Sequence, residues 1–208
     1  MEKKRPVGVI ALIISLCIFA LLFIELNSVA EAKEKKDTLV FVGDAALTYA
    51  SYFFELPQNW MPEMRGIQEL VHQKGFWRGK HRESNVWITI APTKIRENSS
   101  PAEFINRYKS LTESRGGDWL IKNYNFTPSF AYPYELHLEY SVKSKSYILV
   151  VFAKLPTHVV NFNLSVLGVE DENSITPFLD DFNKVIASFR WTLGLSDEEI
   201  GKMLESIQ

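Results

Sequence analysis

His137 and Glu139 are the residues whose types and spacing best suit chemistry. Two positions apart on a predicted strand, they share one polar face and lie about 7 Å apart. An imidazole and a carboxylate at that distance can join a zinc-type metal site if another strand adds a ligand, and His158, in the turn before the third strand of the meander, is the candidate. The competing interpretation, which we favour, is a solvated strand face.

A second candidate is a basic, aromatic segment over residues 74–82, which we interpret as a loop. Cations beside aromatic rings suit anionic lipid headgroups, a polyanion or an acidic protein partner. In the alternative, the segment is a solvated hairpin tip with its two rings turned into the core. It is our first choice for a contact surface, and its binding candidates are Phe76, Trp77, Arg78, Lys80 and Arg82.

Five tryptophans offer a third possibility, an apolar ligand cleft, although aromatic residues in a sheet protein more often form plain core. They are Trp60, Trp77, Trp87, Trp119 and Trp191.

The familiar catalytic and cofactor motifs are missing from the sequence. It has no glycine-rich phosphate loop, no Gly-x-Ser-x-Gly elbow and no His-Glu-x-x-His. Its single cysteine, Cys17, lies in the N-terminal apolar run, so the rest of the chain offers neither a thiolate nucleophile nor a cysteine-ligated metal. We therefore predict a non-enzymatic protein without a cofactor. A hydrolase built from Asp, Glu and His is a distant third class.

Composition and charge set the broad class. The chain has 208 residues, of which 46% are hydrophobic and 23% charged, as is ordinary for a globular protein. Its net charge of −2 gives no field that favours nucleic acid, so no nucleic-acid partner is predicted.

The N-terminus predicts export. A basic start precedes an unbroken apolar run over residues 7–24, and small residues that suit cleavage follow within residues 1–32. The run is longer than a usual signal and close to the length of a membrane span, so a cleaved signal peptide and an uncleaved inner-membrane anchor both stay open. Residues 33–37 form a charged linker. In both cases the body lies outside the cytoplasm, in the periplasm of a bacterial envelope.

The elements that must position these residues follow from periodicity. Residues 135–167 read as three consecutive antiparallel strands, the middle one apolar on both faces, and a helix follows with Thr176 as its N-cap and Pro177 at its first position. Shorter strands are predicted at residues 38–42, 52–56, 86–90 and 119–126. Ser100 begins a capped helix with an apolar stripe, and residues 192–208 contain a final amphipathic helix. The sequence thus predicts an α+β fold with an antiparallel sheet of about six strands.

Several of these segments resemble the PsbP-like family, which includes the Mog and DcrB proteins. The aromatic strand and Pro-x-x-Trp turn at residues 52–60, the capped helix at Ser100, the meander and the closing residues 182–189 are similar to that family. The likeness extends from Tyr52 to Trp191, within a predicted domain over residues 38–191. It implies an α/β/α sandwich used for binding or assembly, with no shared catalytic residues.

The sequence therefore predicts an exported or membrane-tethered binding module for a protein partner or an anionic membrane surface. The alternative is an envelope protein of the same fold that binds a small ligand or a metal.

Overall fold

The computed structural model describes residues 38–43, 51–63, 76–115, 117–192 and 194–205. The strands are β1 Thr38–Gly43, β2 Ser51–Leu56, β3 Trp60–Pro62, β4 Trp77–His81, β5 Val86–Lys94, β6 Trp119–Lys122, β7 Tyr134–Ser141, β8 Ser146–Lys154, β9 His158–Leu167 and β10 Arg190–Trp191. The α-helices are α1 Pro101–Glu113, α2 Leu179–Ser188 and α3 Asp197–Glu205, and a 3-10 helix spans Glu172–Phe178.

A seven-stranded antiparallel sheet forms the centre of the domain, in the order β3-β4-β5-β9-β8-β7-β6. The predicted meander is confirmed as β7-β8-β9, and β9 also pairs with β5 over the whole length of β5, from Val86 opposite Val166 to Lys94 opposite His158. The α+β fold class is confirmed. The central sheet has seven strands where about six were predicted, and its membership differs. Strand β3 and residues 77–81, which were taken for a loop and form β4, join it, whereas the first two predicted strands do not.

A second, three-stranded sheet has the order β1-β2-β10. The first two predicted strands pair here as antiparallel neighbours, with Thr38 opposite Leu56. One layer of the expected α/β/α sandwich is therefore built from this small sheet together with α2, and only the other layer is a single helix, α1.

Strand alternation gives the central sheet two differently covered faces. One face, here called the core face, packs Leu149, Val151 and Phe162 against β2 and α2. The other face, here called the α1 face, packs Val150 and Phe152 against Ile105 of α1. Strand β8 is therefore buried on both sides, which explains its continuous apolar sequence.

The helix ends match the sequence in one case and differ in another. Ser100 and Glu103 form the predicted capping box of α1, with Glu103 N–H donating to Ser100 Oγ at 3.2 Å and Ser100 N–H donating to Glu103 Oε2 at 2.8 Å. Thr176 is not the N-cap predicted for the later helix. Asp171 caps a 3-10 helix that already contains Pro177, and this leads directly into α2.

The predicted leader, its alternative as an anchor and the charged linker all lie outside the described residues. Among the helices that the structure describes, none is both long and apolar enough to cross a membrane.

Candidate functional site

The basic, aromatic segment is a strand rather than a loop, which corrects its predicted conformation. Alternation along β4 sends Trp77 to the core face, where only 7% of the residue is exposed and its ring meets Phe54 edge-on at 4.7 Å. Arg78 and Lys80 project from the opposite, α1 face. Trp77 is therefore core and cannot belong to a contact surface, whereas Arg78 and Lys80 remain accessible and Phe76 is half-buried. Lys74 and Gly75 lie outside the described residues.

Both accessible cations of β4 lie against one indole. Lys80 pairs directly with Trp87 of β5, and its Nζ is 5.4 Å from the centre of the Trp87 ring. Arg78 Cζ is 5.2 Å from the same ring, and Arg78 Nε is 2.9 Å from Glu63 Oε2. A cation over an indole face is attracted by the ring quadrupole by about 0.5–1 kcal/mol at exposed sites. The two positive charges are thus held in place side by side.

Arg82 extends this cluster into the β4–β5 turn. Its side chain is exposed, its Nε donates to the carbonyl oxygen of Gln58 at 3.1 Å, and with Lys80 it lines a polar hollow of about 240 Å³. Glu83, Ser84 and Asn85 complete the hollow. We call Arg78, Lys80, Arg82 and Trp87 the basic strand patch. Sequence reasoning left Trp87 out of it, although alternation in the predicted strand of residues 86–90 already placed Trp87 on the side away from Val86 and Ile88.

His137 and Glu139 lie together but not on a solvated face. Both side chains are almost completely buried beneath α1, and His137 Nε2 is 3.0 Å from Glu139 Oε1. Tyr108 of α1 covers them, with its ring centre 6.3 Å from that of His137. Burial, and then the neighbouring Glu139 carboxylate, raise the pKa of Tyr108 to about 12.

The third predicted metal ligand does not reach this pair. Strand register puts His158 on the core face, where its ring lies 4.9 Å from that of Trp191 and its Nδ1 is 2.9 Å from Thr157 Oγ1. His137 and Glu139 face the other side of the same sheet. Within the part of the chain that the structure describes, no group of three or more His, Cys, Asp or Glu side chains is placed to hold a metal ion. The predicted three-ligand metal site is therefore not assembled.

The five tryptophans do not converge on a cleft. Trp60 and Trp77 are buried in the cluster on the core face, and Trp191 packs at its margin. Trp87 and Trp119 lie on the α1 face, on strands separated by three others. The ring of Trp60 is anchored through Nε1–H, which donates to Asp181 Oδ2 at 2.9 Å. Three of the five tryptophans thus belong to the core cluster or its margin rather than to a ligand cleft.

Comparison with known proteins identifies relatives in fold only. No family model matches the chain, and no curated protein matches it. The solution structure of cyanobacterial PsbP (CyanoP) from Synechocystis sp. PCC 6803 is similar with a TM-score of 0.46 and 14% identity, covering 77% of this chain and 96% of that one. The crystal structure of the Saccharomyces cerevisiae Ran-binding protein Mog1p is similar with a TM-score of 0.45 and 11% identity, covering 74% and 95%.

Proposed function

We propose that this chain is a non-enzymatic binding module of the cell envelope, exported or tethered through its apolar N-terminal segment, and that the basic strand patch is its contact surface. The observation that supports this is the placement of Arg78 and Lys80 against the single indole of Trp87. Held side chains lose less freedom on binding than unrestrained lysines and arginines do, which favours recognition.

The chemistry of the patch suits an acidic protein partner. Guanidinium groups bind carboxylates through paired hydrogen bonds, and aromatic and arginine side chains are enriched at protein interfaces. Beside the patch, Met61 pairs with Lys80 across β3 and β4 and is 40% exposed, so an apolar contact is available next to the charges. An anionic membrane surface is the second candidate, because the predicted anchor or leader would bring the domain to the bilayer.

The test is a charge reversal at the patch in the full-length protein. Lys80→Glu with Arg82→Glu changes the net charge by −4, and Lys143→Glu with Arg115→Glu makes the same change at exposed cations elsewhere. Arg78 is left unchanged because its reversal would place two carboxylates beside each other at Glu63. Tagged wild-type and variant proteins are used to capture partners from solubilised membranes, and are floated with phosphatidylcholine vesicles with and without phosphatidylglycerol.

A protein partner predicts a specific captured protein that the patch variant loses and the control variant keeps, with capture weakening as salt rises. Flotation with the phosphatidylglycerol vesicles alone, lost in the patch variant, would support the membrane surface instead. If both variants behave like wild type in both assays, the basic strand patch is not the contact surface.

A further inference from the structure

We infer that a groove between α1 and the end of β5 is a binding site for a single-chain amphiphile with an anionic head, of the long-chain carboxylate kind. The groove encloses about 490 Å³, within the range of about 300–1,000 Å³ typical of small-molecule sites. One wall is the end of β5 and the residues after it, and the other is one face of α1. Its lining includes Ile95, Arg96, Phe104, Arg107, Tyr108 and Leu111.

Helical spacing explains the α1 wall. Phe104, Arg107, Tyr108 and Leu111 occupy positions i, i+3, i+4 and i+7 of the helix, so they share one side of it. Phe104 and Tyr108 also pack against the buried cluster on the α1 face, which fixes the helix on the sheet. Leu111, one turn further, is 54% exposed at the groove. Apart from Arg107 the wall is therefore apolar, and Leu111 at its end is more than half exposed.

The charges around the groove are predominantly positive. Three of its lining side chains are cations, Lys94, Arg96 and Arg107, and one is a carboxylate, Glu103, so the local charge is +3 − 1 = +2. Glu103 is already engaged, because its Oε2 accepts the N–H of Ser100 in the capping box at 2.8 Å. In a chain whose overall charge is −2, this is a local reversal of sign.

Two of these cations are not neutralised by an ion pair within the described part of the chain. Arg96 and Arg107 are exposed, and neither forms an ion pair with any of the described residues. A guanidinium offers a planar fork of donors that matches a carboxylate. An apolar cleft with guanidinium groups at its rim is complementary to an apolar chain that ends in a carboxylate.

This groove is separate from the basic strand patch. Trp87 lies near the start of β5 and Lys94 at its end, seven residues away, which corresponds to about 23 Å along a strand. Loss of one site therefore leaves the other intact.

The experiment titrates the folded protein with dodecanoate below its micelle concentration, by calorimetry and by amide chemical shifts. Three comparison ligands are titrated in the same way. Methyl dodecanoate lacks the charge, acetate lacks the apolar chain, and dodecyl phosphate has a different anionic head. We expect saturable binding of dodecanoate, at least tenfold weaker binding of the methyl ester and of acetate, and shift changes concentrated at residues 93–96 and 104–111. Binding of dodecyl phosphate tenfold tighter than that of dodecanoate would reject the carboxylate assignment.

Substitutions inside and outside the groove test where dodecanoate binds. Arg96→Gln with Arg107→Gln should weaken dodecanoate binding about tenfold or more, whereas Lys143→Gln with Lys202→Gln, also on the surface, should leave it unchanged. Leu111→Gln should weaken binding without removing any charge. Absence of saturable binding, equal binding of the methyl ester, or shifts elsewhere in the domain would overturn the inference, as would binding to anionic vesicles without binding to dodecanoate.

Discussion

His137 Nε2 lies 3.0 Å from Glu139 Oε1 inside the domain, between the central sheet and α1. Two polar side chains of one strand are thus shielded from water by a helix that comes earlier in the chain. His137 Nδ1 is buried and has no hydrogen-bond partner among the described residues, so Glu139 supplies the bond that this imidazole makes through its other nitrogen. A buried polar group is costly when its partner is removed, and this gives the pair a structural role within β7, beneath α1.

Removal of the Glu139 carboxylate should therefore destabilise the domain. We expect Glu139→Ala to lower the free energy of unfolding by about 1–3 kcal/mol, because His137 Nε2 loses its partner in the buried site. Urea denaturation measures this as a lower midpoint at unchanged slope. Glu113→Ala, at the exposed end of α1, is the matched control and should change stability by no more than about 0.5 kcal/mol. Equal effects of the two substitutions would contradict a structural role for the pair.

Tyr108 should make the domain sensitive to alkali. Its native pKa of about 12 lies above the ordinary value of 10, because burial and the Glu139 carboxylate disfavour the phenolate. Below pH 10 the native and the unfolded chain both keep the phenol proton, so the full contribution of Tyr108 to stability is present. Between about pH 10 and 12 the unfolded chain loses the proton first, binds fewer protons than the native state, and stability falls as pH rises.

Tyr108→Phe isolates this contribution, since phenylalanine has no phenol to titrate. The free energy of unfolding, measured in urea from about pH 9 to 11, should fall less steeply in the variant than in wild type. The pKa of Tyr52 is also raised by burial, so part of the alkaline loss persists in both proteins. Parallel curves would show that Tyr108 does not titrate with a raised pKa.

Glu135 should act at the opposite end of the pH scale. Its carboxylate lies 2.6 Å from Lys154 Nζ on β8 and 3.3 Å from Lys109 Nζ on α1, and the hydrogen bond from Lys154, then that from Lys109, lowers its pKa. The stabilisation that the Glu135 carboxylate provides is present above the ordinary pKa of glutamate. It is lost as pH falls through the lowered pKa of the native state. We expect Glu135→Gln to cost up to about 1 kcal/mol at neutral pH and to flatten acid unfolding. Glu198→Gln on α3, which is lysine-paired like Glu135 but exposed, is the control.

Local sequence patterns predicted the individual helices and strands better than they predicted which elements would pack together. The double-sided apolar run of β8 and the capping box at Ser100 identify their own structures because the signals lie within a few residues. The burial of His137 and Glu139 depends on α1, whose covering residue Tyr108 is 29 positions earlier than His137. Likewise, nothing in the sequence indicates that the face of α1 with Arg107 meets Arg96 after β5. Such sites arise from tertiary packing.

The segment that forms β4 is predicted as a loop because its sequence combines glycine with cationic residues. The structure explains why position 79 is a glycine. The indole of Trp77 lies directly over the Gly79 backbone, where an added Cβ would be 2.9 Å from Cζ2 and closer still to Cη2. Glycine in a strand often marks such a close approach. Pairing with β5, rather than local propensity, makes this segment a strand.

Gly79→Ala should therefore destabilise the protein. Trp77 is held in the core by Phe54, so its ring has little room to yield, and overpacking of this kind costs about 1–3 kcal/mol. The usual gain from reduced freedom of the unfolded chain, about 0.4–1 kcal/mol, is too small to offset it. Gly201→Ala on α3 has open space around the new methyl group and should be neutral or stabilising. Thermal denaturation of both variants measures the two effects. If the clash is the cause, Trp77→Phe in the Gly79→Ala background should cost less than Trp77→Phe alone, because the smaller ring frees the space that the methyl group needs. Additive effects would mean that the indole does not lie on this glycine.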